Sequence, residues 1–133
     1  MLFRSPVQVG NLSNWSTVIN VSFYGSFAIQ NNGSLWAWGN NSYQQLGFSL
    51  WNFPYPLQKT NNNFWTAVST NQDSTLLVDI SNNVWGLGNN SLGQLGLNTK
   101  TGYQYSPVQV GLGSINNTVK VETKAYSSLV LYK

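Results

Sequence analysis

The acid–base inventory of this chain is three carboxyls, Asp73, Asp79 and Glu122, in 133 residues that hold no histidine and no cysteine. Those absences remove the Ser-His-Asp and Cys-His arrangements, and with them imidazole and thiolate metal sites. A carboxyl pair remains, and glycoside hydrolysis needs its two members about 5–9.5 Å apart. Asp73 and Asp79 flank one β-rich run, and six residues at about 3.3 Å each hold them roughly 20 Å apart. No Gly-rich run leads into Lys-Ser/Thr and a helix, so there is no phosphate loop. The residues therefore predict no catalytic set, no metal ligands, no cofactor site and no enzyme.

The remaining polar groups are mostly uncharged. Charged residues make up 7% of the chain, against about 25% in an average soluble domain. Asn doublets recur instead (Asn31-Asn32, Asn40-Asn41, Asn82-Asn83, Asn89-Asn90), and Asn suits turns because it tolerates left-handed backbone. The net charge of +3 rests on six cations. Lys120, Lys124 and Lys133 do not make the dense basic stripe of a nucleic-acid binder and read as a solvated strand face. No stretch approaches 18 apolar residues, and Met1-Leu2-Phe3-Arg4 lacks the apolar run of a signal peptide, so membrane insertion is not expected. The expected setting is the cytoplasm or a virus particle.

Those uncharged residues recur with a period. Ser5-Pro6-Val7-Gln8-Val9-Gly10 returns unchanged as Ser106 to Gly111, with Tyr55-Pro56-Leu57-Gln58 between them. Trp15 and Trp65 are 50 residues apart, and Leu35 to Gly47 matches Val84 to Gly96 at an offset of 49. We read units at 5–54, 55–105 and a partial 106–133 in one repeat domain. Within them, short β-rich runs divided by Gly or Asn predict strands at Val18–Phe23, Ser26–Gln30, Ser34–Trp38, Trp65–Thr70, Thr75–Ile80 and Val84–Leu87. Asn32-Gly33 is a short-hairpin signal. Pro6, Pro56 and Pro107 suit the start of an outer edge strand, where a missing N–H does no harm. A period near 50 with about four strands per unit predicts an all-β fold, a partial β-propeller of tandem four-stranded antiparallel blades. Trp15, Trp36, Trp38, Trp65 and Trp85 are read as its packing residues. Trp36 and Trp38 fall on one side of their strand, Leu35 and Ala37 on the other.

These motifs resemble the regulator of chromosome condensation repeat. The match runs through Ser5–Gly10, Trp15, Ala28-Ile29, Gly33, Trp38-Gly39-Asn40 and Gln45-Leu46-Gly47. In the second unit it runs through Trp65, Val68, Thr75 to Val78, Trp85 to Asn89 and Gly93 to Gly96; the third keeps Ser106–Gly111 and Ser127 to Leu131. Three departures stand out. Gly25, Ser74 and Ser127 occupy the place of the repeat's inter-blade histidine, Gln44 replaces the glycine kept as Gly93, and the third unit lacks its Trp. The resemblance implies a ring of about seven blades, of which this chain holds about two and a half. Cut at the Trp-Gly strand, Leu35 to Ile80 supplies four strands, Val84 to Tyr132 four more, and the residues before Asn31 three.

An incomplete arc exposes blade faces and strand edges, which favour association. The expected function is a non-catalytic structural or protein–protein interaction module, self-associating or seated among other subunits of an assembly such as a virus particle. A second reading is a carbohydrate-binding module that uses Trp51, Tyr55 and Tyr103 in linking loops. Nucleotide exchange on a small GTPase, the activity best known for the family, maps onto no residue here.

Overall fold

Alternation of apolar and polar residues, broken every few positions by Asn or Gly, folds the chain into strands and tight turns. The computed structural model describes residues 11, 13–21, 25–59, 64–100, 102–111, 118–124 and 127–132. Its strands are β1 (Trp15–Val21), β2 (Gly25–Gln30), β3 (Leu35–Asn40), β4 (Asn52–Gln58), β5 (Trp65–Thr70), β6 (Ser74–Asp79), β7 (Val84–Asn89), β8 (Tyr103–Gln109), β9 (Thr118–Lys124) and β10 (Ser127–Tyr132). They form two four-stranded antiparallel sheets, β1-β2-β3-β4 and β5-β6-β7-β8, and a two-stranded pair β9-β10. No helix is present among the described residues.

The sheets place the blade boundary differently from the cut at the Trp-Gly strand. β3 pairs with β2 before it, so Leu35 to Ile80 is split between two sheets. Each four-stranded sheet opens on a strand that starts with Trp and ends on a Pro-bearing strand. The two-stranded sheet is the one nearest the C-terminus. Pro56 and Pro107 do sit in the outer strands β4 and β8, but near their ends instead of their starts. Pro6 and its hexapeptide lie outside the described residues.

The two full blades repeat each other's irregularities. Both outer strands shift register against the Trp-Gly strand at one place, between Ala37 and Gly39 in the first and Gly86 and Gly88 in the second. A bulge of this kind bends the strand and increases its twist. The β2–β3 and β6–β7 turns put a left-handed residue at equivalent positions, Gly33 in one and Asn82 in the other.

The core lies between sheets. Phe27, Ile29, Leu35, Ala37, Leu46 and Phe53 of the first blade meet Trp65, Val68, Leu77 and Leu87 of the second. The second blade's other face, with Leu76, Val78, Val84, Leu95 and Val110, packs on Val121 and Val130 of the β9-β10 pair. The second sheet is thus covered on both faces, which explains why Ser74 to Asp79 is buried throughout and shows no alternation. Each fully buried Leu in these layers contributes about 2 kcal/mol, and none of that burial exists within a single sheet.

Candidate interaction surface

The best-defined polar structure is the turn that follows each Trp-Gly strand. Asn41, wholly buried, donates from Nδ2 to the carbonyls of Phe48 (2.8 Å) and Leu50 (2.6 Å), and its Oδ1 accepts the Leu46 N–H (2.8 Å). Gln45 accepts the Tyr43 N–H and donates to the Asn40 carbonyl. Asn90 and Gln94 copy the arrangement: Asn90 donates to the Thr99 carbonyl and accepts the Leu95 N–H, and Gln94 accepts the Leu92 N–H. These turns seat Leu46 and Leu95 in the two inter-sheet layers.

Each turn is also tied to the next sheet. Thr75 Oγ1 donates to the Gln45 carbonyl at 2.8 Å, and Ser128 Oγ donates to the Gln94 carbonyl at 2.6 Å. Ser74 and Ser127 hold the histidine position of the resembled repeat, and the hydroxyl after each, Thr75 or Ser128, makes the inter-sheet bond. Sequence reasoning missed this pairing, because the acceptor is a backbone carbonyl; the recurring Ser/Thr and Gln were its only signal.

Gln44 shows what one departure from the repeat does. It sits at φ 59° where the second blade has Gly93 at φ 81°, and its Oε1 is buried without a hydrogen-bond partner. Left-handed backbone costs a non-glycine residue about 1–2 kcal/mol. Gln44→Gly is therefore expected to raise stability by about 1 kcal/mol, read as a higher urea midpoint at unchanged slope.

The three carboxyls do not assemble. Asp73 precedes β6 and Asp79 ends it. Asp73 Oδ2 accepts from Asn89 and Gln94. Burial would push the Asp79 carboxyl up, but Asn83 and Trp85 side chains and the Asn83 and Ser81 N–H groups outweigh it and hold it below the usual carboxylate range. Such hydrogen bonds stabilise the charged form, and this carboxylate organises the β6–β7 turn. In the first blade neutral Gln30 does the same job, accepting from the Trp36 indole and Ser34. No group of three or more His, Cys, Asp or Glu could hold a metal among the described residues.

Lys59 is a strongly perturbed cation. Its Nζ donates to the Tyr105 carbonyl of the next blade at 3.0 Å and lies 4.5 Å from the Phe48 ring centre. The carbonyl and the ring favour the charged form, yet burial lowers the group from 10.5 to about 8. Between about pH 8 and 10.5 the folded chain therefore binds fewer protons here than the unfolded chain, so stability rises with pH across that window. We expect the thermal midpoint to gain over this range relative to Lys59→Met, which removes the titration while keeping the stem.

The five packing tryptophans do not share one environment. Trp65 is buried, with 2% of its surface exposed, and meets Trp85 edge-on at 6.1 Å. Trp15, Trp36 and Trp38 are half-buried, with Trp15 edge-on to Trp36 at 6.1 Å and 6.5 Å from Trp38. Trp51 (66% exposed), Tyr55 (63%) and Tyr103 (42%) lie on the outer rim. Tyr55 and Tyr103 are on β4 and β8 themselves and Trp51 directly precedes β4, so none of the three is deep in a linking loop. Leu50 and Tyr105 add to the same exposed rim. Pro54 and Pro56 interrupt the free edge of β4, which blunts strand-to-strand pairing there. An uncharged cleft of about 410 Å³ opens between the first two sheets, bordered by Ser16, Gln30, Asn32, Phe64 and Ile80.

No family model matches the chain, and no curated protein matches it by sequence. Solved structures do match by shape. Human WBSCR16 superposes with a TM-score of 0.80 at 17% identity, covering 95% of this chain and 33% of its own. Prp20p of Saccharomyces cerevisiae, a structure described with its binding to Gsp1p and histones, gives 0.71 at 16% identity over 92% of this chain and 32% of its own. Yeast RCC1 (Prp20) bound to Kap60 gives 0.70 at 16% identity, over 92% of this chain and 31% of its own. These are RCC1-like β-propellers, and this chain spans about a third of the length of each. Its all-β sheets are blades of the β-propeller fold that these structures share.

Proposed function

We propose that this protein is a non-catalytic interaction module, a run of propeller blades that builds into or onto other protein subunits. The observation that carries the reading is the location of the core: apolar burial lies between successive sheets, so every blade is itself a docking surface for the next. Protein partners of the similar propellers, Gsp1p, histones and Kap60, point the same way. The scarcity of charge suits close packing in a repetitive assembly such as a virus particle. Light scattering coupled to gel filtration, followed by crosslinking to co-purifying proteins, tests it. A discrete oligomer or a defined complex supports the module; a stable monomer with no captured protein rejects it.

Glycan binding is the second reading, favoured by the exposed Trp51, Tyr55 and Tyr103 on the rim beside uncharged amides. Trp51→Ala should then abolish retention on a glycan array without moving the thermal midpoint. No retention of the unaltered chain excludes this reading.

A further inference from the structure

We propose that the cleft between the first two sheets binds a short neutral saccharide, held by Asn31 and Asn32 against the ring of Phe64. This site is separate from the surfaces of the interaction module, and it is not the rim of Trp51, Tyr55 and Tyr103. The cleft's volume of about 410 Å³ falls within the about 300–1,000 Å³ of small-molecule sites. A second hollow of about 310 Å³, reaching Asn14, adjoins it along Gln30, Asn31 and Asn32. No described residue lining either hollow is charged, and Gln30 stands where the second blade has Asp79. An ion would give up hydration here with no counter-charge to replace it, so the cleft selects a neutral ligand.

The polar groups suit hydroxyls. Asn14 and Asn31 are exposed, and their side-chain amides bond to no described residue. Each amide carries donors and an acceptor, which match a sugar hydroxyl that both accepts and donates. Asn32 Oδ1 accepts from the Ser34 N–H and Oγ at 3.0 and 2.8 Å, which fixes that amide and leaves its Nδ2 as a donor. Ser16, Gln30 and Thr66 are already bonded within the chain, so recognition falls to the asparagines.

The apolar wall is rigid but open to water. Phe64 and Ile80 are 58% and 68% exposed, yet Phe64 is held against the turn of the first blade. A Cβ on Gly33 would stand 2.9 Å from Phe64 Cδ1 and 3.0 Å from its Cα and Cβ, so glycine is what admits this approach. The Trp65 N–H donates to the Gly33 carbonyl at 2.9 Å, and the Ile80 N–H to the Phe64 carbonyl at 2.8 Å. A ring fixed beside free amides offers the flat apolar surface that the C–H face of a sugar ring covers. Because the wall and the Asn32 amide are already ordered, binding costs less entropy.

The test is a titration of neutral disaccharides (maltose, cellobiose, lactose and N,N′-diacetylchitobiose) into the isotopically labelled full chain, followed by NMR. At least one should shift the Asn31 and Asn32 side-chain amides and the Phe64 ring signals, saturating at about millimolar concentration. Asn31→Ala, a change at an exposed residue, should weaken that binding about tenfold, the effect of one or two lost hydrogen bonds. Phe64→Leu keeps the apolar bulk and removes the ring, so it should weaken binding while the thermal midpoint holds. Trp51→Ala should leave the affinity unchanged. Binding lost on Trp51→Ala and kept in Asn31→Ala puts the saccharide on the rim and overturns the proposal. Cleft signals that move with none of these sugars overturn it as well. Tighter binding of inorganic phosphate, or of a capped tetra-alanine peptide, at the same signals overturns the ligand class. None of these outcomes depends on whether the chain associates with other subunits, which light scattering reads separately.

Discussion

Gly88→Ala should prevent folding of the chain, or cost about 4 kcal/mol or more where folding persists, the range reserved for a named structural fault. A Cβ at this position would stand 2.5 Å from the Asp73 carbonyl oxygen, 3.1 Å from Ser74 Cα and 3.2 Å from Gln45 Cα. All three are backbone atoms, so no side chain can rotate away. Ser74 opens the neighbouring strand of the same sheet and Asp73 directly precedes it, whereas Gln45 is in the turn of the preceding blade. Relieving the overlap means opening both the β6–β7 ladder and the contact between blades. The left-handed φ of 92° adds its own strain. Gly93→Ala is the control: at φ 81° it carries similar backbone strain, but its Cβ would meet nothing within 4 Å. It should cost about 1 kcal/mol. Urea unfolding of the two variants separates space from conformation, and equal midpoints would remove the close approach as the reason for Gly88.

That glycine shows how far the sequence could be read. The Trp-Gly/Leu-Gly-Asn pattern announced a repeat, and its period announced blades, because positions 49 to 51 residues apart carry the same residue types. The alternation at Leu35 to Trp38 told that Leu35 and Ala37 share one side of the strand and Trp36 and Trp38 the other, but not that the Leu35 side is the fully buried one. The phase of the repeat was not legible. A tandem pattern can be cut at any strand, and only the hydrogen bonds from β3 to both β2 and β4 decide that the Trp-Gly strand is third in its sheet. Long-range polar contacts were equally hidden. Thr75 reaches across to a backbone carbonyl, which every residue possesses, so beyond the recurrence of Gln at 45 and 94 nothing in the sequence marks the acceptor. Nothing in the Pro56-Leu57-Gln58 run before it marks Lys59 as the cation that meets the Tyr105 carbonyl on β8 of the next blade. The rim aromatics were legible as exposed, but their placement on outer strands was not.

Asn41→Ala carries the other large expected effect, about 3–5 kcal/mol, and it should exceed that of the same change at Asn90. Removing the Asn41 amide leaves three backbone groups without partners: the carbonyls of Phe48 and Leu50 and the N–H of Leu46. A buried group left unpaired costs about 1–3 kcal/mol. Leu46 is wholly buried, so its N–H has no access to water, and Phe48 is half-buried; only Leu50 is exposed enough for hydration to soften the loss. Among the described residues Asn90 makes two such bonds, to the Thr99 carbonyl and the Leu95 N–H, and Thr99 is exposed. Its loss should therefore be about 2 kcal/mol. Asn41→Asp tests the assignment of the amide, since a carboxylate could still accept from Leu46 but would face two carbonyl oxygens with no proton to offer. It should be at least as damaging as Asn41→Ala near neutral pH and recover partly in acid, when the protonated carboxyl can donate one bond. The turn also holds the Gln45 carbonyl where Thr75 reaches it, so both substitutions should couple to Thr75→Val in a double-mutant cycle. A cycle that closes with no interaction energy would show the turn and the inter-blade bond to be independent, and the blades held together by apolar packing alone.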